Sequence, residues 1–96
     1  IIAVCGMLKD KDAELVFTQL TSVSDQWYCV TLGGYRGQSG DDLNAKLTTV
    51  CPSAKSVSED SVAEGVQSAV KNADKNDIVL VFGSFHTVGE FLEYLA

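Results

Sequence analysis

At 96 residues, with 46% hydrophobic residues and a single proline, the chain has the material for one packed core and carries neither a disordered nor a fibrous signature. Seven Lys and Arg against 13 Asp and Glu leave a formal charge of -6, which disfavours nucleic acid and anionic membrane surfaces, because both need a concentrated basic face. No apolar run nears the roughly 20 residues of a membrane-spanning helix. Cys5, Cys29 and Cys51 have neither metal-ligand spacing nor an even count, which reads as a reduced, cytoplasmic domain.

Ile1 to Cys5 is apolar without alternation, the pattern of a strand covered on both faces in a parallel sheet. Beginning inside such a run, with no Met or turn residue ahead, the chain reads as an excised fragment. After Gly6, a charged stretch leads into Ala13, Val16, Phe17 and Leu20, whose spacing predicts an amphipathic helix with Asp10 or Asp12 as N-cap. Trp27 to Leu32 is aromatic and β-branched and reads as a second strand, closed by the glycine-rich segment 33–37.

Ser39 is placed to cap a short helix carrying Leu43 and Leu47, with Asp41 and Asp42 favourable at its positive end. Ser56-Val57 suggests a short strand. Ser61-x-x-Glu64 is a capping box, opening a helix expected to turn Val62, Val66, Ala69, Val70 and Ala73 inward. Ile78 to Phe82 is apolar at every position and reads as the most buried strand; Val88, Phe91, Leu92 and Leu95 follow at helical spacing. Strands alternating with helices in this order predict an α/β fold, an open, mostly parallel sheet with helices on both faces.

Ligands of such sheets sit at the carboxyl ends of the strands, which selects the loops 6–12, 33–38 and 83–87. None contains a dinucleotide fingerprint or a phosphate-cradling Gly-Lys-Ser/Thr loop. Lys11, at a helix start, is either a cation for a carboxylate or phosphate or a solvated lysine balancing Asp10 and Asp12. Arg36 either reaches an anion with its guanidinium fork or lies on the surface. In the third loop Gly83 permits close backbone approach, and Ser84 and Thr87 can donate to an anion or cap the helix. His86, the single histidine, is a proton carrier without a visible partner or a hydrogen-bonded residue at a helix start. No Gly-x-Ser-x-Gly elbow makes Ser84 a triad nucleophile, and no metal site assembles from adjacent ligands.

Three segments together, Gly6-Met7-Leu8-Lys9-Asp10-Lys11-Asp12, Trp27-Tyr28 with Arg36-Gly37, and Gly83-Ser84-Phe85-His86-Thr87-Val88, carry a resemblance along the whole chain. It resembles the C-terminal domain of the bacterial bifunctional folylpolyglutamate synthase/dihydrofolate synthases, in the Mur ligase superfamily. The resemblance implies a Rossmann-like domain, residues 1–96, of an ATP- and Mg2+-dependent ligase. There a substrate carboxylate, of dihydropteroate or folate, is phosphorylated, and the amino group of L-glutamate displaces the phosphate. It further implies that an N-terminal ATPase domain of the same polypeptide holds most of the nucleotide and metal, while this domain closes over the site and helps bind glutamate and nucleotide. Residue by residue, Lys11 would bind a carboxylate, Ser84 would hydrogen-bond the incoming glutamate, and His86 would line the cleft. Arg36 would join them, although the family has Pro before that Arg where this chain has Tyr35. The alternative is a stand-alone phosphocarrier or binding module working through Cys5, a position without the Cys-x5-Arg phosphatase pattern because residue 11 is Lys.

Overall fold

The computed structural model describes residues 1–9, 12–33, 37–83 and 85–96, the side chains of residues 85 and 86 excepted. Four strands, β1 (Ile2–Cys5), β2 (Gln26–Val30), β3 (Ser56–Glu59) and β4 (Val79–Phe82), alternate with helices α1 (Ala13–Leu20), α2 (Gly40–Val50), α3 (Val62–Asn72) and α4 (Phe85–Leu95). The strands form one parallel sheet in the order β3-β2-β1-β4. The α/β class expected from the alternation is the fold observed.

Helices α1, α2 and α3 each begin where a side chain satisfies an otherwise free backbone N–H. Asp12, rather than Asp10, caps α1 by accepting from the amide of Leu15 at 3.1 Å. Ser39 and Ser61 do the same for α2 and α3, accepting from Asp42 and Glu64. The weak segment Ser56-Val57 extends to Glu59 and forms the β3 edge of the sheet, where Ser and Glu side chains discourage further pairing.

The two faces of the sheet carry two cores. On one, Phe17 of α1 and Leu43 and Leu47 of α2 pack on Ala3, Cys5, Trp27 and Cys29. Trp27 stands edge-on to Phe17 and to Phe82, with centroids 5.2 and 5.9 Å away. On the other, Val62, Val66 and Ala69 of α3 cover Ile2, Val4, Tyr28 and Val30, with Phe91 of α4 against the margin. These contacts follow from right-handed crossovers: β1-α1-β2-α2-β3 advances one way along one face, and α3 then returns across the other to place β4 beside β1.

That return corrects two expectations. β4 is an edge strand and not the most buried one: Leu80 is 41% exposed and Ile78, just before the strand, 63%. In α3 Val70 points to solvent, at 61% exposure, while Gly65 takes the inward position. In α4 only Phe91 of the four apolar residues at helical spacing is partly buried, since Val88, Leu92 and Leu95 are exposed. Among the described residues no helix is long and apolar enough to cross a membrane.

Candidate functional site at the carboxyl ends of the strands

The order β3-β2-β1-β4 reverses direction at β1, so α1 leaves β1 on one face and α4 leaves β4 on the other. The carboxyl ends of these two strands, where the helices diverge, are the usual ligand position in a doubly wound sheet. The loops that follow β1, β2 and β4 meet there.

Their meeting point is the segment Gly6 to Leu8, with Gly6 facing the β4 side. Its amide donates to the carbonyl of Phe82 at 3.2 Å, prolonging the β1–β4 pairing beyond the strands. Its carbonyl accepts a 2.6 Å hydrogen bond from Oγ1 of Thr87, a residue with no solvent exposure. Gly83 passes so close that a Cβ there would lie 1.8 Å from the Gly6 carbonyl oxygen, and its φ of +136° is one that L side chains rarely adopt. The close approach expected of Gly83 is therefore a backbone contact between two loops. Thr87, expected to donate to an anion or cap the helix, donates its hydroxyl proton to Gly6.

The loop after β2 is tied to the same point. The amide of Gln38 donates to Met7 and that of Leu32 donates to Gln38, both at 3.2 Å, and Leu8 bridges to Gly37 in antiparallel fashion. The Gln38 side chain is buried, with Nε2 3.5 Å from the carbonyl of Leu8. Nothing local in the sequence marks Gln38; its burial arises from the pairing of two loops that leave neighbouring strands.

Lys11, Arg36 and Ser84 lie outside the described residues, as does the side chain of His86. The segments that carry them are brought together by described backbone on either side. Gly6 to Leu8 and the Asp12 cap bracket residue 11, Gly33 and Gly37 bracket residue 36, and Gly83 and Thr87 bracket residues 84 and 86. Among the described residues no group of three or more His, Cys, Asp or Glu is placed to hold a metal ion. A cleft of about 370 Å³ lies at the opposite, amino end of the strands, between Ile2, Gln26, Lys55 and Asp77.

The cysteines are free thiols. Cys5 and Cys29 are neighbours in register on β1 and β2, both without exposure. Burial pushes the Cys5 thiol well above the ordinary range and Cys29 adds to it; burial alone pushes Cys29 up to about 12. A thiol held neutral and out of solvent cannot act as a phosphate-accepting nucleophile, so the carrier alternative loses its chemistry.

Comparison with known proteins agrees with the fold. A dihydrofolate synthase/folylpolyglutamate synthase of Haemophilus influenzae is 64% identical over 90 residues, covering 94% of this chain and 21% of its own length. The structure of E. coli FolC in complex with DHPP and ADP superposes with a TM-score of 0.81 at 39% identity, over 99% of this chain and 22% of that one. A bifunctional folylpolyglutamate synthase/dihydrofolate synthase with Mn, AMPPNP and L-glutamate bound gives a TM-score of 0.80 at 35% identity, over 98% of this chain and 22% of that one. The chain thus spans about a fifth of the length of the relatives it matches. The family model of the Mur ligase glutamate ligase domain matches residues 1–85, which includes all of the sheet, and to that family the chain belongs.

Proposed function

We propose that this chain is the C-terminal, glutamate-side domain, residues 1–96, of an ATP- and Mg2+-dependent folate ligase that joins L-glutamate to dihydropteroate, to folylpolyglutamate, or to both. The observation that carries the reading is that the loops after β2 and β4 are both tied to the segment Gly6 to Leu8 after β1, at the β1/β4 reversal, since those three loops bear all four residues of the proposed site. Lys11 and Arg36 supply cations for a carboxylate or phosphate, Ser84 donates to the glutamate, and His86 lines the cleft. Relatives seen with AMPPNP, Mn and L-glutamate, or with DHPP and ADP, support the substrate classes.

The described residues do not fit a metal or triphosphate site of their own, having no three-ligand cluster and no glycine-rich phosphate loop. The reading therefore leaves phosphorylation of the acceptor carboxylate to an N-terminal ATPase domain of a longer polypeptide. What this chain contributes is binding and orientation: an ammonium and a hydroxyl on adjoining loops hold the glutamate so that its amine meets the activated carbonyl. Helix N-termini at the same end of the sheet favour the anionic groups of such a ligand.

The test uses the full-length ligase that contains this chain. Ser84→Ala and Lys11→Ala each raise KM for glutamate by about tenfold, the scale of one lost charge-assisted hydrogen bond, with little change in KM for ATP. Unchanged glutamate kinetics in both variants would refute the site. The 96-residue chain alone is expected to show no ATP hydrolysis and no ligation.

A further inference from the structure

We draw no further inference here: the strongest candidate, the exposed apolar patch of Ile78 and Leu80 at the β4 edge of the sheet with Val88, Leu92 and Leu95 on α4, is an unpartnered face, and nothing in the structure shows what covers it.

Discussion

Gly65 of α3 provides a sharp test of how closely this domain is packed. Replacing a helix-interior Gly by Ala ordinarily stabilises by about 1 kcal/mol, because Ala loses less backbone entropy. Here an added Cβ would lie 2.3 Å from Val30 Cγ1 and 3.3 Å from Val4 Cγ1, where ordinary contact begins at 3.4 Å. The shortfall against Val30 is 3.4 − 2.3 = 1.1 Å. Val30 and Val4 are fully buried on the central strands β2 and β1, stiff at χ1 and backed by the opposite core, so the helix must move. Overpacking of this kind costs about 3 kcal/mol at its upper end, which outweighs the propensity gain and leaves Gly65→Ala destabilised by about 2 kcal/mol. For a chain of this size that is a fall in Tm of about 8 to 16 °C. Urea unfolding followed by far-UV circular dichroism measures it, and Val30→Ala in the same background checks the cause. With the Val30 methyl groups gone the new Cβ has room and only the propensity gain remains, so the double variant is more stable than the summed single effects predict, by about 3 kcal/mol, the overpacking removed. A stabilised Gly65→Ala, or strict additivity of the pair, would refute the packing argument.

Other outcomes follow from the buried thiols and the loop contact. Because Cys29 titrates near 12 in the folded chain and near 9.0 when exposed, the unfolded chain holds fewer protons between those values. Stability contributed by the neutral Cys29 thiol is fully present below pH 9 and is lost toward 12, at up to about 1.4 kcal/mol per pH unit; in pH-dependent urea unfolding Cys29→Ala lowers the slope by that amount, leaving the same-signed contribution of buried Cys5. With a soluble disulfide reagent at pH 8, half-buried Cys51 reacts before Cys5 and Cys29, which react only on unfolding; equal rates for all three would contradict the two-core packing. Gly83→Ala must bring a Cβ into the Gly6 carbonyl at an unfavourable φ, costing about 1–3 kcal/mol in strain alone. On the ligase reading proposed above, its KM for glutamate rises more than that of Gly33→Ala, where a Cβ meets nothing within 4 Å.

The edge position of β4 has a physical consequence. β3, at the other edge, is polar, while β4 presents Leu80, with Ile78 just ahead of it, and α4 adds Val88, Leu92 and Leu95. The apolar periodicity of these segments records which residues avoid water when a neighbour is present, and it does so without naming the neighbour. That is why Ile78 to Phe82 and Ile1 to Cys5 look alike as sequences and differ in burial.

Much of the domain was legible in residue order alone, because helix starts and strand patterns are local properties. A cap at Asp10 or Asp12, caps at Ser39 and Ser61, the apolar runs of β1 and β4 and the alternation of elements imply an open parallel sheet and point to three strand-end loops; the fold decides for Asp12. Tertiary structure decided which strands were central, which valine of α3 faced solvent, and how the loops were joined. Thr87 makes the distinction plain. Its neighbours suggested a helix cap or an anion donor, yet its hydroxyl bonds a carbonyl 81 residues away, a partner that exists only once the crossover of α3 has set β4 beside β1.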